Sequence, residues 1–451
     1  MKKRNFRVAA VLGAMLVPGL ALAQQSPSTS GLSAERFDAL IAQVEAMKAK
    51  IAILEAAQST NAKATQVAST TQSSVATESD KKNTVKIGTN GEVSLYGRIM
   101  AQVENVKVSN NAVASENLTK NRVSAHNSNI GFKGTLDVGS GNAVFFQIEQ
   151  RAPIDGTADS TFANRNSGVG FKGTWGTALV GRWNTPYKDQ TIKVDPFNET
   201  TLAANTFVMG QVSQLGDDDI FHARQKNVIQ YWTPKVNGFS GKVHFTANEG
   251  KTTTTNPYTM SLALDYDQGP VFALFGYETH KDSGDLTAGA TGMDKGTHVG
   301  GGYRFANGTT ITGIWEKLAF HADRFGATAA ADMSRNAWFL GASHKFNQVT
   351  LRGGYGVAGD QSGTNTLPGG NKDTGAKGLY AMVGYALTGF KALDKTEVFA
   401  QYVRLNNDRN ASYVVTNNDG PNGGLDMVKS GAGRWAGATY SGVTLGVMTY
   451  F

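Results

Sequence analysis

From Glu92 to Phe451 apolar residues recur at every second position, and a period of two dictates strands. In the stretch from Val93 to Val103, the residues Val93, Leu95, Ile99, Ala101 and Val103 share one face. Ser94, Tyr96, Arg98, Met100 and Gln102 share the other. The carboxy-terminal stretch Ser441–Phe451 repeats the pattern: Val443, Leu445 and Val447 alternate with Thr444, Gly446 and Met448, and Phe451 falls on the apolar parity. The connections between such segments are of two kinds. Seven are short turn signals, at 139–142, 174–177, 236–239, 267–270, 306–309, 346–349 and 391–395. Eight are long and polar, at 109–121, 152–164, 185–223, 248–258, 281–296, 320–334, 358–376 and 406–432. Seven turns and eight loops join sixteen strands and put both ends of the strand region on the short-turn side. A wall with one apolar and one polar face, short turns below and long loops above, separates lipid from water. In lipid no strand edge can stay unpaired, so the first and last strands must meet. The expected fold is all-β: a transmembrane antiparallel β-barrel of 16 strands, closed by Ser441–Phe451 against Val93–Val103. The terminal segment alone also fits the edge of a soluble sheet, but a sandwich or propeller would not segregate its connections in this way.

The amino-terminal part follows other rules. Lys2, Lys3, Arg4 and Arg7 precede an apolar run from Val8 to Leu22, and Ala21-Leu22-Ala23 supplies the small residues of a cleavage site, so residues 1–23 read as a signal peptide. Pro18 and Gly19 break the run, which is too short for a membrane-spanning helix. In the segment 24–57, Phe37, Leu40, Val44, Met47, Ile51 and Leu54 are spaced 3-4-3-4-3, an a/d seam that predicts a short α-helical coiled coil over 34–57. Ser33 is its N-cap and Glu35 lies in its first turn. Self-association and packing of a lone amphipathic helix both fit three heptads, which are marginal in isolation. Residues 58–91 begin rich in Ser, Thr, Ala and Gln without aromatics and read as a linker to the barrel at 92–451.

Composition excludes several functions. The chain has no Cys, so neither thiol catalysis nor a Cys-ligated metal is available. The net charge of +7 owes four bases to the signal peptide, which leaves the rest near neutral and gives nucleic-acid binding no support. No phosphate loop, EF-hand spacing or paired-His motif occurs, so no metal or other cofactor is expected. A barrel-borne lipase or protease needs a nucleophile, base and acid. The seven His (126, 222, 244, 280, 298, 321, 344) show no such grouping and read as scattered surface or loop residues, so no enzyme is expected. Tyr231, Trp232, Phe272, Tyr277, Trp315, Trp338, Phe339, Tyr385, Tyr402, Tyr440 and Tyr450 lie near strand ends and suggest aromatic girdles.

Several segments carry a family resemblance. Val93-Ser-Leu-Tyr-Gly-Arg98, Ile130-Gly-Phe-Lys-Gly134, the stretch from Arg165 to Arg182, Arg224-Gln-Lys-Asn-Val228 and the terminal Phe451 resemble, in order and spacing, the general trimeric porins of Gram-negative bacteria, closest to the β-proteobacterial kind. The resemblance implies a homotrimer in the outer membrane, multi-pass, with the amino-terminal segment periplasmic. It implies passive diffusion of small hydrophilic solutes and ions through a water-filled channel whose eyelet is narrowed by the loop 185–223. Asp195 and Glu199 would be the loop's acids, and Arg98, Arg165 and Glu149 the wall residues opposite. Asn129 stands where the family places an Arg, a departure that weakens the field unless Lys120, Arg122 or His126 compensates. Phe451 would be the assembly signal read by the barrel-assembly machinery. Implied partners are outer-membrane lipid or lipopolysaccharide and, through the coil, peptidoglycan. Receptor or adhesin, and envelope tether, are the alternatives.

Overall fold

The computed structural model describes residues 83–451 apart from 111–113, 115–116, 126, 157–160, 198–199, 201–208, 211–220, 248, 283–290, 322–331, 364–370, 389–394 and 414–435. The signal peptide and the coiled-coil seam from Phe37 to Leu54 lie outside the described residues.

The strands, in chain order, are β1 (Thr84–Ile87), β2 (Gly91–Ser109), β3 (Leu118–Ser124), β4 (Asn129–Gly139), β5 (Asn142–Arg151), β6 (Ser167–Gly173), β7 (Gly176–Asn184), β8 (Arg224–Trp232) and β9 (Phe239–Thr246). They continue with β10 (Tyr258–Gln268), β11 (Val271–Lys281), β12 (Met293–Arg304), β13 (Thr309–Phe320), β14 (Met333–Phe346), β15 (Val349–Ala358), β16 (Ala376–Ala386), β17 (Thr396–Asn407) and β18 (Thr439–Tyr450). A helix, α1 (Pro186–Val194), lies between β7 and β8. Paired strands are antiparallel, and β18 pairs with β2 from Thr439↔Ser109 to Tyr450↔Arg98, which closes the barrel.

The eighteen segments form sixteen barrel strands for two reasons. β3 and β4 both pair with β2, at Val108–Gln102 and Arg98–Gly91, and are halves of one strand broken at 125–128. β1 pairs only with the short-turn end of β2, Ile87↔Gly91 to Thr84↔Ser94, within the stretch expected to be linker. The broken strand keeps its ladder through a side chain: Ser128 Oγ accepts from Met100 N at 2.9 Å and donates to Met100 O at 3.0 Å. All seven predicted short turns and eight predicted long loops fall between the strands expected of them.

Alternation sets which way each side chain points. Outward positions such as Val103 and Leu445 stay about 60% exposed, a continuous apolar band that no soluble monomer carries. Outward aromatics form two belts. Tyr277, Trp315, Trp338, Tyr355 and Tyr402 lie toward the loops, and Phe239, Tyr303, Phe346 and Tyr385 toward the turns. Trp338 and Phe346 are eight residues apart on β14, about 27 Å along the strand at the usual rise. With a typical strand tilt this corresponds to a band roughly 20 Å thick, close to that of outer-membrane barrels. Phe272, Phe339 and Tyr440, expected in the girdles, are buried instead. They sit on the inward parity of their strands, which proximity to a strand end does not reveal.

The seam also involves the chain's last residue. Phe451 N donates to Gly97 O at 3.1 Å and Gly97 N to Phe451 O at 3.2 Å, beyond the last β18 pair. The Phe451 ring lies where a Cβ on residue 97 would stand, so this position requires Gly. Leu95 N then donates to Asn83 O, so the residues leading into β1 and the terminal residue follow one another along the same edge of β2.

Candidate pore constriction

The connection from 185 to 223 begins with a well-formed helix start. Thr185 is the N-cap, its side chain accepting from Lys188 N at 3.2 Å, with Pro186 at the start of α1 and Asp189 in the first turn. The side chains of Tyr187, Gln190, Thr191 and Val194 are buried. Tyr187 N donates to Ser261 Oγ on β10, and its hydroxyl to Glu316 Oε2 on β13 at 2.9 Å. Gln190 donates to Leu264 O and lies 2.8 Å from His298 Nε2 on β12. Thr312 Oγ1 donates to Val194 O at 2.6 Å, and Lys193 pairs with Asp265 at 2.7 Å. The helix therefore lies along the inner face of β10 to β13.

Past α1 the chain crosses the lumen. Asp195 Oδ1 accepts from Phe197 N at 2.9 Å, an Asx turn that redirects the backbone. Phe197 is buried against Tyr380, ring centroids 5.8 Å apart. Its ring lies 2.8 Å from where a Cβ on residue 354 would stand, so β15 needs Gly there to admit the loop. Thr200 then bridges two elements: its Oγ1 accepts from Gln401 Nε2 at 2.8 Å on β17, and its carbonyl from Asn127 Nδ2 at 3.2 Å in the break between β3 and β4. The interruption in the second barrel strand thus holds the far end of the loop.

The returning end is anchored by a buried polar cluster. Glu316 lies 2.9 Å from His222 Nε2 and 3.3 Å from Arg335 Nη2, and accepts from Gly210 N at 2.8 Å. His222, His244, His280, His298 and His321 are all buried, most behind the loop, contrary to the expectation of scattered surface histidines. His280 and His244 also contact near neighbours, Glu278 and Thr246, but His222 meets Glu316, His298 meets Gln190 and His321 meets Asp294 across separations beyond reach of any local motif.

The expected wall residues fall into two groups. Arg98 is buried on the inward parity of β2; its Nε donates to Asn127 O at 3.0 Å and its guanidinium sits 5.9 Å from the Tyr450 ring centroid. It pairs across the ladder with Asn129, and Asn129 with Arg151 of β5, so the three stand in one inward row. Arg151 stands next in that row, whereas Lys120, Arg122 and His126 were the expected compensators. Of these, Arg122 is paired to Glu104 and His126 lies outside the described residues. Glu149 of β5 accepts from Tyr96 at 3.0 Å and is ion-paired to Arg165. Arg165 precedes β6 by two residues instead of lying within a strand, so alternation along β6 does not govern its direction. Asp195 is buried at the end of α1, and Glu199 lies outside the described residues.

Sequence reasoning missed a charged pair on the strands just across the β18–β2 seam. Arg352 of β15 makes a bidentate pair with Glu397 of β17, at 2.9 and 3.0 Å. It lines a cavity of about 260 Å³ with Asp195, Phe197, Thr200, Met382 and Met448. The parity of Val349 and Leu351 marks Arg352 as inward, a signal the alternation already contained.

This geometry has counterparts among known proteins. A family profile described as Gram-negative porin matches residues 51–410, most of the chain. The chain belongs to the Gram-negative porin family. Among relatives of this porin, the major outer membrane protein P.IB of Neisseria meningitidis serogroup B is 32% identical over 194 residues, covering 42% of this chain and 54% of the relative. The P.IB of Neisseria lactamica is 26% identical over 270 residues, 58% of this chain and 76% of the relative. The porin thus spans about half the length of the first of these relatives. Among solved structures, an anion-selective porin from Comamonas acidovorans superimposes with a TM-score of 0.64 at 21% identity, over 80% of this chain and all of that one. OmpT of Vibrio cholerae gives 0.57 at 16% identity, over 81% and 99%. Both have the fold of this outer-membrane barrel.

Proposed function

We propose that this porin is a passive, water-filled channel for small hydrophilic solutes and ions, working as a homotrimer. The observation that carries the reading is the course of 185–200: a buried helix along β10 to β13, then a crossing to Gln401 and Asn127. A loop tied to opposite walls narrows the lumen. Arg98, Asn129 and Arg151, with the Glu149–Arg165 pair, form one side of the eyelet, and Asp195 and Glu199 the loop side. Fixed charges across a narrow, low-dielectric constriction bias ion selectivity. Phe451 serves the barrel-assembly machinery, and the 34–57 coil reinforces the trimer or contacts peptidoglycan in the periplasm.

Purified protein in a planar bilayer tests this. Stepwise currents in multiples of three are expected, with a measurable reversal potential under a salt gradient. Absence of conductance leaves the receptor, adhesin or tether readings. Replacing Arg98 with Ser shifts the reversal potential toward cations; an unchanged value removes Arg98 from the eyelet.

A further inference from the structure

The inward face of the barrel changes character around its circumference. Along Arg98, Asn129 and Arg151 it is polar, as a water-filled lumen requires. Beside the constriction loop, the inward residues of β16 and β18 are Met382 and Met448, and Met100 of β2 stands next to Met448 across the seam. Thioethers buried under a loop are ordinary packing where their neighbours are apolar. Here the neighbours are charged. Met382 faces Arg352 across the β15–β16 ladder, and Met448 faces Glu397 across the β17–β18 ladder.

The charged pair is fixed in place. Arg352 and Glu397 meet over β16, the strand between them, and a Cβ on residue 384 would collide with both, so β16 carries Gly there. The bidentate pair engages two of the five guanidinium N–H groups, so Arg352 can take a second acceptor without breaking it. The loop forms the other side of the cavity, where Ile192 and Phe197 supply apolar surface and Asp195 a carboxylate. The space of about 260 Å³ corresponds to roughly nine water molecules at ~30 Å³ each. It suits a solute of about that many non-hydrogen atoms, with an apolar body and charges of both signs.

We propose that this cavity is a resting site on the diffusion path for α-amino acids with an apolar side chain, such as leucine. The carboxylate meets Arg352 and the ammonium turns toward Asp195. The side chain lies on Met382, Met448 and the Phe197 ring, and flexible thioethers adapt to several side-chain shapes. A dicarboxylate is opposed by Asp195 and Glu397 together, and a polar side chain gains nothing from the thioethers. Such a site must also release its occupant, so its effect is a faster, saturable passage at low concentration. The inference rests on the channel reading and names one solute class within it.

The test measures initial uptake of labelled leucine and of asparagine, which has nearly the same outline, into proteoliposomes over a concentration series. Salt conductance of the same preparation in a planar bilayer reports the channel reading separately. Leucine uptake is expected to saturate and to exceed that of asparagine at low concentration. The advantage is expected to vanish in M382S/M448S and to survive in M382L/M448L, which keeps the floor apolar. R352Q is expected to raise the half-saturating concentration of leucine about tenfold, the loss of a charge-assisted hydrogen bond. It should leave that of 3-methylbutylamine, which lacks the carboxylate, in place. Equal, unsaturated uptake of leucine and asparagine by a wild-type protein that conducts salt overturns this inference and leaves the channel reading intact. So does a leucine advantage undiminished in M382S/M448S. Absence of salt conductance removes both.

Discussion

At the scale of single residues, the closure of the barrel depends on a pair that neither strand explains alone. Phe451 and Gly97 exchange two backbone hydrogen bonds while the aromatic ring covers the glycine. Gly97→Val is therefore expected to displace the ring and lower the yield of folded barrel nearly as much as Phe451→Ala, scored by heat-modifiable mobility in detergent. Neither change touches the inward row of Arg98, Asn129 and Arg151, so barrels that do fold should conduct normally. A second residue-scale effect concerns Asp282, just past β11. Burial works to raise its carboxyl, but the N–H groups of Asn256 and Gly292 and the charge of Lys281 hold it below the usual value of 3.8. A depressed folded pKa adds stability above the unfolded value that is lost as pH falls through the lowered one. The protection factors for hydrogen exchange at Asn256 and Gly292, corrected for the intrinsic pH dependence, should hold above the usual carboxyl value and fall as pH drops through the lowered one. In Asp282→Asn the protection should already be reduced at neutral pH.

At the scale of elements, the described residues of the constriction loop are held by ties to the barrel wall. Glu316 is the common partner of Tyr187 at the start of α1 and of Gly210, His222 and Arg335 near its return. Glu316→Gln removes the charge that faces the buried Arg335 guanidinium at 3.3 Å, and breaking such a buried pair costs about 3 kcal/mol. The barrel's own ladders are untouched, so the expected outcome is a noisier open channel in bilayer recordings with little change in barrel content by circular dichroism. Quiet, unaltered currents would show that the loop is held by Thr312, Phe197 and Thr200 without this cluster. The break in the second barrel strand belongs to the same scale. The segment between the expected loop 109–121 and the turn 139–142 reads as one strand, yet the chain leaves the ladder at 125–128 and offers Asn127 to the loop.

At the scale of the whole molecule, sixteen strands closed on themselves leave no edge for water or another chain to compete for. The proposed trimer would add a second level of association, and the proposed seam of Phe37, Leu40, Val44, Met47, Ile51 and Leu54 predicts a contribution to it. Deleting 34–57 should lower the temperature at which trimers dissociate on semi-native gels while leaving single-channel conductance unchanged. If the dissociation temperature does not move, the coil does not hold the subunits together.

What the chain determines by itself is the barrel. A period of two, read with the segregation of turns from loops, specifies sixteen strands, their inward and outward faces and the closure at Phe451, because these depend on local alternation and on the rule that lipid tolerates no open edge. The inward parity of Arg98 and Glu149 was legible on the same ground, whereas Asn129 was named only through the family resemblance. Only the tertiary structure decides the constriction. Tyr187 meets Glu316, Thr200 meets Gln401 and Arg352 meets Glu397 across separations that carry no periodic signal. The inward face of a barrel is a surface on which residues far apart in the chain converge, and which of them touch depends on strand register and on where a long loop comes to rest.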